Sequence, residues 1–192
     1  MVAVVAIVEG DGEVSAVPVL LRRMQSWLPT KSVWDILTPI RVKRERFIRN
    51  DGEFSRILHL AARKCGDDGR ILILLDADDD CPAQLGERIK NDAQKAIGHR
   101  RISVVLANRE YEAWFLASAR ALNGMRNFFF SEIESFDSDS VRGAKEWMSS
   151  HMGAAKYRPT TDQPAFSSLI DLDIAKKNSR SFRKLCKEIE SI

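Results

Sequence analysis

The chain of 192 residues is long enough for one domain, or for one domain with an elaborated tail. Its 44% hydrophobic and 30% charged residues exclude global disorder, and a formal net charge of +3 is too small to argue a polyanion partner from charge alone. No segment approaches the roughly 18 consecutive apolar residues of a membrane helix, and Cys65, Cys81 and Cys186, scattered and without a CxxC pair, exclude a disulfide framework or structural zinc site and fit a reducing cytosol.

Residues 2–8 are apolar throughout, the pattern of a parallel strand covered on both faces. They lack a basic n-region and end in acids, so they read as a first strand and not as a signal peptide. Residues 14–28 predict a helix, with Pro18 in its first turns. Residues 33–42 alternate loosely and predict a second strand, and a helix starts at Asp51 or Gly52 and stops near Gly66. Residues 70–75 (RILILL) predict a third strand, 82–97 a helix ending at Gly98, 102–106 a fourth strand and 110–122 a helix. The repeated β-α order predicts a mainly parallel four-stranded sheet flanked by helices.

After Gly124 the order stops. Residues 125–140 carry no clean period, 141–152 predict a short helix, 153–168 (with Pro159 and Pro164) a loop, and 171–192 one or two basic helices. The expected division is an α/β core over 1–124 and a helical or irregular extension over 125–192, packed on the core as a single compact unit.

Two stretches carry chemistry. VEGDGE (residues 8–13) places Glu9 and Glu13 where the first strand meets the first helix, and Gly10 and Gly12 allow a sharp turn and close approach to a substrate. ILILLDADDD (71–80) ends a buried run in Asp76, Asp78, Asp79 and Asp80. Ligands of open parallel sheets bind at strand carboxyl ends, so neighbouring first and third strands would bring Glu9, Asp76 and Asp78 together. Grouped carboxylates repel unless protons or a cation neutralise them, and hard oxygen donors suit Mg²⁺ or Mn²⁺. Such an ion polarises a phosphodiester, with Glu9 as general base or acid or as a further ligand. Asp79 and Asp80 taken alone read equally as caps and turn formers.

Other motifs fail on the same letters. EGDGEVSA has Ser15 where a dinucleotide fingerprint needs its third glycine, and no phosphate-binding GxxxxGK[ST] occurs. A calcium loop over 76–87 would need glycine where Cys81 stands. A dehalogenase-type phosphatase would carry its aspartate pair on the first strand. Two groups of basic residues, Arg41, Lys43, Arg44, Arg46 and Arg49, then Lys176, Lys177, Arg180, Arg183, Lys184 and Lys187, either hold phosphates or form solvated faces.

Glu9-Gly10 after a first strand, with Asp76-x-Asp78 after a third, resembles the Toprim domain of topoisomerases, bacterial primases, small ribosomal-RNA maturases and nucleases of the overcoming-lysogenisation-defect type. The segments VEGDGE, LLDADDDCP, LANREYEAWFLAS, GAKEWM, YRPTTDQPAF and SRSFRKLC resemble, over almost the whole chain, a family of small bacterial Toprim-like proteins of unknown function, often encoded beside an AAA- or SMC-like ATPase. The resemblance implies a Mg²⁺-dependent phosphodiester site with Glu9 as acid/base, Asp76 and Asp78 as metal carriers, and Glu13, Asp80 and Glu110 as further metal ligands. Its pattern draws in Arg109 and Lys145 as phosphate contacts, beside Arg41, Lys43 and Arg44 of the first basic group as nucleic-acid contacts, and it implies DNA in preference to RNA and a partner ATPase in defence against foreign DNA. Tyr157, Asp162 and Gln163 lie in the irregular tail, which is expected to fold back over the sheet edge. A topoisomerase would need a separate tyrosine-bearing domain and a primase a zinc module. A non-catalytic scaffold that binds its ATPase or nucleic acid, and a structured-RNA processing ribonuclease, are the alternatives. The protein is expected to be cytoplasmic, and a homo-oligomer is compatible with the sequence.

Overall fold

A computed structural model describes residues 1–30, 32–49, 52–131 and 137–191. In chain order the elements are β1 (Val2–Val8), α1 (Asp11–Trp27), β2 (Trp34–Ile36), β3 (Ile40–Arg41), α2 (Arg44–Ile48), α3 (Gly52–Cys65), β4 (Arg70–Asp76), α4 (Pro82–Ile97), β5 (Arg101–Ala107), α5 (Ala113–Ala117), α6 (Ala119–Leu122), α7 (Ala144–Ser150), α8 (Pro159–Leu169), α9 (Leu172–Asn178) and α10 (Arg180–Glu190). The strands pair in parallel in the order β2-β1-β4-β5, and β3 also pairs with β1.

Side-chain alternation in the long strands builds two cores, one on each face of the sheet. Val4, Ala6 and Val8, with Leu72, Leu74, Val105 and Ala107, pack against α1 and the helices that follow β5. Val5 and Ile7, with Ile71, Ile73, Leu75, Val104 and Leu106, pack against α2, α3 and α4. Both faces are covered, which is why the strands are apolar without interruption.

The strand expected over 33–42 divides in two. Leu37 still donates to Val4 O at 2.9 Å, but Pro39 has no N–H to give the ladder. The helix expected over 110–122 breaks at Ser118, whose φ of −113° and ψ of 18° separate α5 from α6. Its Oγ instead accepts from the Asp171 N–H at 3.0 Å.

The loop expected over 153–168 contains α8. Pro159 stands at its first position, where the missing N–H costs nothing, and Pro164 removes a single interior bond. The two basic helices expected at the end are α9 and α10, capped by Asp171 on Ile174 N–H and Ser179 on Phe182 N–H. Residues 132–136 of the irregular stretch over 125–140 lie outside the described residues. Phe128, Met148, Phe166, Leu172 and Phe182 of the C-terminal extension belong to the same core as α1 and β1.

Helix α8 lies against the first turn of α1. A Cβ built on Gly12 would overlap Gln163 Oε1 and the Pro159 carbonyl, so only glycine allows this approach. Gly12→Ala is therefore expected to lower stability by about 2 kcal/mol, because backbone must move to admit one methyl. Urea unfolding measures it, and a variant as stable as wild type would contradict the close packing.

Candidate active site at the strand carboxyl ends

Glu9 follows β1, Asp76 ends β4, and residues 108–112 follow β5, so three adjacent strand ends deliver polar groups to one edge. The β4–β5 pairing continues beyond the strands. Ala77 N–H donates to Ala107 O and Asp78 N–H to Arg109 O, both at 3.0 Å. Asp78 (φ 50°) and Arg109 (φ 63°) adopt left-handed backbone, an unfavourable conformation for residues with side chains that recurs where a loop must aim functional groups.

Each acid is placed by the backbone. Glu13, in the first turn of α1, turns back so that its Oε2 accepts from Glu9 N–H at 3.1 Å, in the manner of a capping box. Asp76 Oδ1 accepts from Tyr111 N–H at 2.8 Å. Glu112 is 0% exposed, and its Oε1 accepts from Tyr157 O–H at 3.0 Å and Gln163 Nε2 at 2.8 Å. Glu110 Oε2 accepts from Lys145 N–H at 3.1 Å. The Lys145 ammonium stands 3.8 Å from Asp76 Oδ2 and 3.7 Å from both Glu110 Oε2 and Glu112 Oε2.

The cluster holds more negative charge than Lys145 neutralises. Burial, then repulsion by Glu13, pushes the Asp76 carboxyl well above the ordinary range. Burial, reinforced by Asp78, raises Glu9, and burial raises Glu112 despite Lys145. Burial, assisted by Glu112 and Glu9, raises Glu13 to about 7. Desolvation works against the Lys145 ammonium, but Glu112, Asp76, Glu110 and Glu13 outweigh it and raise its pKa.

These shifts fix a sign for pH dependence. Folded Glu13 keeps its proton to about pH 7, against 4.5 as its ordinary value. The folded state binds more protons between those values, so stability is highest below the lower one and falls as pH rises through the higher. In EDTA, wild type is expected to lose up to about 3 kcal/mol through Glu13 between about pH 4.5 and about pH 7. Glu13→Gln should flatten that part of the profile in urea melts, and an unchanged slope would contradict the assignment.

The expected site residues separate into two groups. Glu9, Glu13, Asp76 and Glu110 come together around Lys145, which stands within the acids and not on an outer phosphate-binding surface. Asp78 and Asp80 lie at the mouth, paired with Arg44 at 3.2 and 2.6 Å. Arg44 differs from its expected place on a basic surface. It is buried, and its guanidinium also donates to Asp76 O at 2.8 Å and Ala77 O at 3.0 Å, so it is spent on holding the aspartate loop. Arg109 pairs with Asp79 at 2.9 Å. Arg41 is exposed beside the Glu9 turn, donating to Glu9 O at 3.2 Å and pairing with Asp11 at 3.0 Å, and Lys43 is exposed next to it. The C-terminal basic group is largely engaged within the fold: Arg180 with Asp139, Lys176 with Glu190, Lys184 with Glu188, and Arg183 with the carbonyls that end α9.

Glu112, Tyr157 and Gln163 are the site residues that the sequence did not assign. Glu112 reads as an ordinary first-turn acid, and its signal is the apolar AWFLA that follows it into the core.

The donor chemistry fits a hard divalent cation. The oxygens are carboxylates, their pKa values are raised by burial and by mutual repulsion, and Glu9 Oε2 is buried without a hydrogen-bond partner. Among the described residues, no group of three or more His, Cys, Asp or Glu side chains is arranged to hold a metal ion. Mg²⁺ in general takes one or two carboxylates and keeps waters or substrate oxygens.

Residues 8–190 match the model of a family described as a domain of unknown function (DUF4276). No curated protein and no solved structure matches the chain. Among the described residues, no helix is long and apolar enough to cross a membrane.

Proposed function

The chain belongs to the DUF4276 family, a domain of unknown function, and from that premise we propose that it is a Toprim-like, Mg²⁺- or Mn²⁺-dependent nuclease or nuclease-like subunit that hydrolyses nucleic-acid phosphodiesters. The observation that carries the reading is the meeting of Glu9, Glu13 and Asp76 at adjacent carboxyl ends of a parallel sheet, with their carboxyls raised by burial and mutual repulsion. Asp76 and Glu9, with Asp78 at the mouth, would hold the cation, which supplies charge stabilisation at the phosphoryl oxygens. Glu9, half-buried and with its pKa raised by burial, is placed to hold and release a proton. Lys145 offers a fixed positive charge to a phosphate oxygen from inside the acid cluster. Exposed Arg41 and Lys43 beside the Glu9 turn would take the phosphate backbone without reading sequence, DNA in preference to RNA. A partner ATPase and a role in defence against foreign DNA complete the proposal.

One observation favours a second reading, a non-catalytic scaffold for an ATPase or nucleic acid. Arg44, Arg109 and Lys145 are already engaged in internal ion pairs, so the edge is partly balanced without a ligand. Incubation with labelled single- and double-stranded DNA and RNA, in Mg²⁺, Mn²⁺ or EDTA, decides between them. Cleavage that requires the metal supports the nuclease. Absence of cleavage with every substrate, alone and with the proposed partner ATPase, supports the scaffold.

A further inference from the structure

The segment YRPTTDQP, residues 157–164, has no part in the proposed chemistry, yet it is built around one buried carboxylate. Asp162 closes the first turn of α8 by accepting from Arg158 N–H at 2.7 Å, and it pairs with Arg126 at 2.8 Å. That turn carries Tyr157 and Gln163, 7% and 2% exposed, to the same atom, Glu112 Oε1. Both donors use one oxygen. The other, Oε2, is buried without a hydrogen bond and faces Lys145 at 3.7 Å. A carboxylate with two donors on one oxygen cannot rotate to share them, so its free oxygen has a fixed direction.

We propose that Tyr157 and Gln163 are positioning residues, which lock Glu112 so that its free oxygen holds the Lys145 ammonium among Asp76 and Glu110. The packing of α8 on Gly12 serves the same end, because it sets the depth at which Gln163 enters. Removing either donor lets Glu112 turn and Lys145 drift from the phosphate position. Outer partners of this kind typically change activity by about 10–100-fold.

The kinetic part of the test rests on the phosphodiester reading. Tyr157→Phe and Gln163→Met are each expected to lower kcat about tenfold with KM within about twofold. In a Lys145→Met background neither should lower the residual rate further. A second part needs no activity. Tyr157→Phe and Lys145→Met act on opposite oxygens of Glu112, so their melting-temperature losses should be less than additive, and should become additive in a Glu112→Gln background. Should wild type cleave nothing, alone or with the proposed partner ATPase, the phosphodiester reading fails and the melting cycle alone decides the positioning. Additive losses in the native background would overturn the proposal, as would an unchanged kcat in both variants of an active enzyme.

Discussion

Glu9→Gln is expected to reduce metal-dependent cleavage by about 10²–10⁴-fold, the usual contribution of a general acid or base, while leaving the melting temperature unchanged or raised. The reasoning is local. Glu9 sits one residue beyond β1, its carboxyl is half-buried, and its Oε2 has no hydrogen-bond partner to lose. Burial, then Asp78, pushes its pKa upward, so replacing it with a neutral isostere relieves desolvation and repulsion in the folded state. A catalytic loss without a stability loss separates chemistry from architecture. Cleavage at the wild-type rate by this variant would remove Glu9 from the mechanism.

Arg44→Met is expected to be the opposite case, a large stability loss. The guanidinium is 8% exposed and serves Asp76 O, Ala77 O, Asp78 and Asp80 together. The two carboxylate partners are exposed and contribute little on their own. Asp76 O would lose this donor, while Ala77 O keeps the Asp80 N–H at 3.0 Å; an unsatisfied buried acceptor costs about 1–3 kcal/mol and a lost hydrogen bond to a charged group about 1.5–3 kcal/mol, so a loss of about 3 kcal/mol is expected. For a chain of this size that corresponds to a fall of roughly 6–12 °C in melting temperature. The left-handed turn at Asp78 depends on the same clamp, so activity should fall as well. A variant within about 0.5 kcal/mol of wild type would show that the aspartate loop holds itself.

The contrast between these two residues explains what the sequence reveals. Apart from the division of the second strand into β2 and β3 and the short α2, the order of strands and helices up to residue 107 is legible because the long strands are buried on both faces and α1, α3 and α4 are bounded by glycine or proline. Glu9 and Asp76 are legible because acids that end apolar runs can only sit at strand ends. Arg44 is not, since a basic run such as RVKRER looks the same whether its members face water or one of them is buried, and the short α2 decides which. Nor is α8 legible, because Pro159 and Pro164 punctuate it as they would a loop, while tertiary packing on Gly12 stabilises the helix regardless. Lys145, Tyr157 and Gln163 reach the acids from residues far along the chain, and only the fold reveals that they share Glu112.

The central claim is that the strand-end acids form a divalent-cation site, and a metal-dependent thermal shift tests it most directly. Wild type and Asp76→Asn/Asp78→Asn should be melted with increasing Mg²⁺ and Mn²⁺. Binding to the folded state alone stabilises wild type by about 2.7 kcal/mol when the metal reaches about a hundred times its Kd, and the double variant should show none of this shift. A wild-type melting temperature that does not move with either metal, or one that moves equally in the double variant, would contradict the account.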